Sequence, residues 1–158
     1  MIIRKAKKED FEQYLNLQKE FNKFINNLTH PIFHSELSIK NLKKNYLIEI
    51  NKKTELILLL EENNKIIGFI EGNINKLKNN NWQPKFNKVG YISDVFIKEE
   101  YRKKGYFKKC LNELFDFFKK NKVKYCNLHV NIENKSAIKS YEKFGFKTLN
   151  FKMWKTIK

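Results

Sequence analysis

Apolar positions along the chain change their spacing several times, and each change marks an element. Met1–Lys5 reads as a short strand. From Asp10 onward Phe11, Tyr14, Leu15, Gln18, Phe21 and Ile25 recur on one face of a 3.6-residue period, which predicts a helix. His30-Pro31 stops it, because the residue before a proline is biased away from helical dihedrals, and a second short helix is expected from about Ser38. Glu55–Glu61 is a dense apolar run, Asn63-Asn64 a turn pair and Lys65–Ile74 a second run, together an antiparallel hairpin. Residues 75–88 are polar, with Asn79-Asn80-Asn81 and Pro84, and read as a loop that carries Trp82 as a candidate border of a substrate site. Val89–Ile97 is the next strand. Tyr106–Lys120 is a helix with Phe107, Cys110, Leu111, Leu114, Phe115 and Phe118 on its buried face. Val123–Val130 reads as a strand, about Asn134 to Lys143 as a helix, and Phe146–Asn150 and Lys152–Ile157 as two closing strands.

Strands and helices mixed in this way over 158 residues predict one α/β (α+β) domain spanning 1–158. No stretch approaches the ~18 to 20 apolar residues of a membrane span, and Met1-Ile2-Ile3-Arg4 lacks the apolar segment of a secretory signal. A cytoplasmic protein with no membrane association is expected. Cys110 and Cys126 fall on different elements with neither disulfide nor metal-ligand spacing, so both read as reduced core residues and no metal is expected. The formal charge of +16 raises a nucleic-acid reading. Lysines are scattered along the chain and arginine occurs only at Arg4 and Arg102, which disfavours a focused patch without excluding that partner.

One stretch has the build of an anion trap. The strand Ser93-Asp94-Val95-Phe96-Ile97 leads through the polar loop Lys98–Lys104 to Gly105, just before the amphipathic helix. The first turn of a helix offers unpaired N–H groups and the positive end of the macrodipole, a glycine lets a ligand approach the backbone, and Arg102, Lys103 and Lys104 add charge. Taken alone, this is also what a solvated turn before a lysine-rich helix looks like. Further on, Asn134, Ala137, Tyr141, Gly145 and Phe146 stand in the order Asn-x-x-Ala-x-x-x-Tyr-x-x-x-Gly-Phe. Taken alone, Asn134 reads equally as a helix cap and Tyr141 as a packing residue.

Together the two stretches resemble the GNAT superfamily of N-acetyltransferases. The family's loop pattern is Arg or Gln, two residues, Gly, one residue, Gly or Ala, and its next βα unit carries the Asn-Ala-Tyr-Gly-Phe spacing. The match is close over residues 89 to 146 and extends to the hairpin Leu56–Ile74, with Gly68-Phe69-Ile70, and to the β–α opening. The chain departs from the pattern at Phe107, which stands where the second small residue is usual and bears on the loop's geometry.

The resemblance implies a mixed, mostly antiparallel sheet flanked by helices, with splayed central strands forming a slot for coenzyme A. It implies transfer of an acetyl group from acetyl-CoA to a primary amine of a small molecule, peptide or protein by direct attack on the thioester. Val95, Phe96 and Ile97 would follow the pantetheine arm, with backbone groups of Val95 and Ile97 bonding to it and the Ile97 amide stabilising the oxyanion. Arg102, Lys103, Lys104, Gly105, Tyr106 and Phe107 would cradle the pyrophosphate, Asn134 and Ala137 would face the coenzyme, and Tyr141 would protonate the departing thiolate. Asp94 is the first candidate for the base and Glu71 the second, each read alternatively as a surface carboxylate. His30, His34 and His129 receive no role. Trp82, Phe86 and Tyr91 are candidates for lining the acceptor pocket, although aromatics are 15% of the chain and most should be packing residues. The partners implied are acetyl-CoA and an amine, with a homodimer allowed; a non-catalytic basic module binding coenzyme A or nucleic acid is the alternative. The acyl-chain length is left open. A surface this basic is expected to suit an anionic metabolite or a protein on a nucleic-acid assembly better than a polyamine.

Overall fold

A computed structural model describes residues 1–77, 86–155 and 157 of the chain. The elements run β1 (Ile2–Lys5), α1 (Phe11–Leu28), α2 (Ile39–Glu49), β2 (Glu55–Glu62), β3 (Lys65–Lys76), β4 (Lys88–Ile97), α3 (Tyr106–Lys120), β5 (Cys126–Leu128) and α4 (Lys135–Lys143). The five strands form one sheet in sequence order; β1 to β4 pair antiparallel and β5 joins β4 in parallel. Mixed sheets of this kind cover both faces with helices, and β2 shows why its run Leu56-Ile57-Leu58-Leu59-Leu60 does not alternate with polar residues. Leu56, Leu58 and Leu60 pack against α3, whereas Ile57 and Leu59 pack against α1 and α2, so both faces of the strand are buried.

Local chemistry fixes the joints. The β2–β3 turn is the pair Asn63-Asn64 at φ 50° and 60°, the two left-handed residues of a type I′ hairpin. Arg4 on β1 forks onto both oxygens of Asp10 at 2.7 and 2.8 Å and reaches Glu61 at 2.6 Å, tying the start of α1 to β1 and β2. Two glycines let α3 sit low on the sheet: a Cβ at Gly72 would meet Leu114 Cδ1 at 2.7 Å, and one at Gly90 would meet the Phe118 ring at 2.9 Å.

The structure alters three sequence expectations. β3 and β4 extend further into the polar stretch than expected, to Lys76 and from Lys88, while Trp82 lies outside the described residues. β5 is three residues long rather than the expected Val123–Val130, because it finds a partner only at Gly90–Ile92 before β4 turns away. The two closing strands over 146–157 do not form among the described residues. Phe146 instead packs its ring toward Tyr141 and Phe115, and Leu149, Phe151 and Met153 are left 87, 79 and 91% exposed. Alternation creates a strand's faces but not its partner, and β5 offers little edge to pair with.

Candidate active site

The site begins with a defect in the β3–β4 ladder. Ile70 pairs with Val95 and Gly72 with Ile92, so the single residue Glu71 on β3 stands opposite two on β4, Ser93 and Asp94. This β-bulge shifts the phase of β4: Ile92 and Val95 both pack on the α3 side, and Phe96 turns to the α1 side. Glu71, Ser93 and Asp94 consequently line one cleft of about 280 Å³, together with Glu49, Glu55, Leu56, Ile57, Gly72 and Asn73.

Glu71 is held by α1. Its Oε1 accepts from the Tyr14 hydroxyl at 2.6 Å and from Gln18 Nε2 at 3.2 Å, and Gln18 also donates to Tyr14 at 2.7 Å. Burial, then the charge of Asp94, push the Glu71 carboxyl up to about 8. Burial and the charge of Glu49 raise Asp94 as well. Among the described residues no hydrogen-bond donor reaches the Asp94 carboxylate, which leaves it to whatever enters the cleft.

The other side of β4 is open. β4 pairs with β5 only over Gly90–Ile92, and from Ser93 to Ile97 its outer edge has no ladder partner among the described residues. Lys98 N–H donates across the ladder to Ile67 O at 3.0 Å, so strand alternation turns the N–H and C=O groups of Val95 and Ile97 toward the open edge. Phe96 points its ring into the α1-side core. The two β4 residues expected to bond the pantetheine arm thus carry the outward backbone groups.

Beyond β4 the chain prepares a helix start. Lys103 and Gly105 take left-handed dihedrals, at φ 61° and 78°, and no side chain caps α3, so its first-turn amides stay available to an anion. Arg102 turns back: its Nε donates to Ile97 O at 2.8 Å and its guanidinium lies over the rings of Phe24 and Phe96, which makes it a brace for the loop. Lys103 and Lys104 are exposed, and Tyr106 donates its hydroxyl to Glu62 at 2.6 Å. The bulk of Phe107 is absorbed away from the loop, edge-on against Tyr141 and Phe144 at 5.3 and 5.7 Å.

α4 carries the second half of the motif. Asn134 caps it through Oδ1, accepting from Ala137 N–H at 3.1 Å, and Ala137 is half-buried. Tyr141 sits among Phe107 and Phe146, and burial, with a smaller push from the Asp94 charge, raises its phenol to about 12. It therefore keeps its proton at neutral pH and is a weaker acid than a thiol, so giving that proton to a thiolate runs uphill.

Two residues considered for the acceptor pocket lie elsewhere: Phe86 stacks on Tyr125 and Tyr91 donates to or accepts from His129 Nδ1 at 3.0 Å, and neither lines the cleft. His30 stacks with Trp154, and His34 Nε2 lies 3.2 Å from Thr29 O. The sequence reading missed Tyr14, Gln18, Glu49 and Glu55. Only Gln18 gave a signal, as an amide inside an otherwise apolar helix stripe.

The chain is similar to known proteins in sequence and in fold. The catalytic subunit of the N-terminal acetyltransferase B complex of Arabidopsis thaliana is 32% identical over 84 residues, covering 52% of this chain and 44% of that one. The chain spans only 36 and 44% of the length of the curated relatives it matches. A Bacillus halodurans protein, solved as a tetramutant, shares the fold with a TM-score of 0.83 at 20% identity, over 99% of this chain and all of that one. A predicted acetyltransferase from Clostridium acetobutylicum, solved with acetyl-CoA, superposes with a TM-score of 0.77 at 18% identity, over 98 and 95% of the two chains. The profile of the acetyltransferase (GNAT) family matches residues 4–146, from the β1–α1 opening through both halves of the motif, and the chain belongs to that family.

Proposed function

We propose that the protein transfers an acetyl group from acetyl-CoA to a primary amine that enters the acidic cleft, while the coenzyme lies along the opposite, open edge of β4. The observation that carries this reading is the bulge, which puts Glu71 and Asp94 together at the strand whose other edge is free. A primary amine arrives protonated, and the Glu71–Asp94 pair takes that proton, with Asp94 on the strand beside the thioester and Glu71 holding a proton affinity near neutrality. The nitrogen attacks the thioester carbonyl. The Ile97 N–H stabilises the oxygen as charge develops there, the carbon–sulfur bond breaks, Tyr141 gives its proton to the departing thiolate, and the surplus proton on the new amide nitrogen returns to the Tyr141 phenolate. The first-turn amides of α3, with Lys103 and Lys104, hold the pyrophosphate. Members of the family solved with acetyl-CoA or coenzyme A support the choice of donor.

The test is calorimetric titration with acetyl-CoA of the wild type, of Gly105→Asp and of Gly105→Ala as its control: both variants add a Cβ that meets no atom within 4 Å and strain the left-handed φ of 78°, and only Asp sets a carboxylate against the pyrophosphate. Binding by the wild type and its loss in folded Gly105→Asp but not in Gly105→Ala is the expected result. A wild type that fails to bind would overturn the reading and favour a non-catalytic basic module.

A further inference from the structure

The proton transfer just described employs two carboxylates, yet the cleft holds four. In a chain with 33 Lys and Arg against 17 Asp and Glu, the residues lining it include Glu49, Glu55, Glu71 and Asp94 and no basic residue. Glu49, at the end of α2, is the hub: its charge raises the proton affinity of Glu55, Glu71 and Asp94 alike. The cation that approaches is Lys52, 3.8 Å from Glu55 and half-exposed, a contact that water screens. Crowded like charges raise the energy of the cleft unless something positive enters it. A second, separate observation points the same way. Tyr14 and Gln18 engage only Oε1 of Glu71, and among the described residues no donor reaches its Oε2 or the Asp94 carboxylate, so the cleft presents acceptors without donors.

We propose that the acceptor is a small amine carrying a second ammonium group, bound with its reacting nitrogen at Glu71 and Asp94 and its other ammonium held by Glu49 and Glu55. This rests on the acetyltransferase reading and narrows its substrate. An ammonium brings three N–H donors and a positive charge to two carboxylates that have only acceptors to offer. A cleft of about 280 Å³ suits a short aliphatic chain. A peptide lysine or N-terminus would supply one ammonium and leave Glu49 and Glu55 facing each other. The expectation drawn from overall charge, that a basic protein turns polyamines away, fails at this point because the cleft inverts the sign of the surface around it. Acetylation also assists release: the product amide has lost one of the two charges the cleft holds.

The experiment compares acetyl transfer to putrescine, to butylamine and to a short lysine-containing peptide, in the wild type, Glu49→Gln and Glu55→Gln, with acetyl-CoA binding and thermal unfolding measured on each protein. The expected kcat/KM for putrescine exceeds that for butylamine by about tenfold or more, and either substitution brings the ratio to within about threefold of one. Equal rates for the two amines, faster transfer to the peptide, or a preference that survives in both folded variants would each overturn the inference. So would acetyl-CoA binding with no transfer to any of the three, whereas a wild type that does not bind acetyl-CoA overturns the underlying reading instead.

Discussion

Glu71 is oriented by Tyr14 and Gln18 and held back from ionising by burial and by Asp94, and this fixes how it responds to pH. With the ionised carboxylate as the base, kcat/KM should rise through a limb near pH 8. In Asp94→Asn the limb should move lower, because one of the two largest causes raising Glu71 is gone; a limb that stays put would remove Glu71 from the role. Stability runs the other way. The folded carboxyl titrates near 8 and the unfolded one near 4.5, so between those values the folded state binds more protons and the wild type loses stability as pH rises. Glu71→Gln keeps an acceptor for Tyr14 and never ionises. It should therefore unfold at a higher temperature than the wild type at pH 9, a gain in stability on the order of a few kcal/mol, with the gap closing below pH 4.5. Thermal melts across that range check both ends.

The elements meet through close contacts that leave little slack. Gly90→Ala would push a methyl into the Phe118 ring at 2.9 Å and lift α3 from the sheet, at a cost of about 1 to 3 kcal/mol measured by denaturant unfolding. Much at this scale was legible in advance, because α1, α3, α4 and the β2–β3 hairpin each declare themselves by period or by a turn pair. What stayed hidden depends on pairing. The sequence of β4 carries no mark of the bulge at Ser93-Asp94, which exists only because Ile70 and Gly72 hold Val95 and Ile92. The short β5 and the missing closing strands have the same origin: a strand's own residues state its faces, and its length is settled by the edge beside it. The residues expected in the donor half lie in one continuous strand-loop-helix and its companion helix, a run that a sequence displays directly. Of the residues in the cleft the sequence reading named only Asp94 and Glu71 as candidates, since Gln18, Glu49, Glu55, Glu71 and Asp94 come from five elements and converge only in three dimensions.

For the whole molecule, two fields of opposite sign divide the labour. On the proposed function, the net charge of +16 would draw a polyanionic coenzyme toward the protein from a distance, and salt screens that attraction, so KM for acetyl-CoA should climb between 50 mM and 300 mM salt; a flat response in steady-state kinetics would show that the charge plays no part in capture. The bulge has a consequence for inheritance. It holds a spare residue: the flanking pairs, Ile92 with Gly72 and Val95 with Ile70, need only one residue between them opposite Glu71. Losing one of the two would restore one-to-one pairing and leave Phe96 on the α1 side and Ile97 on the α3 side. A lineage carrying this chain can shorten β4 here without refolding the strand, and what it gives up is the second residue opposite Glu71.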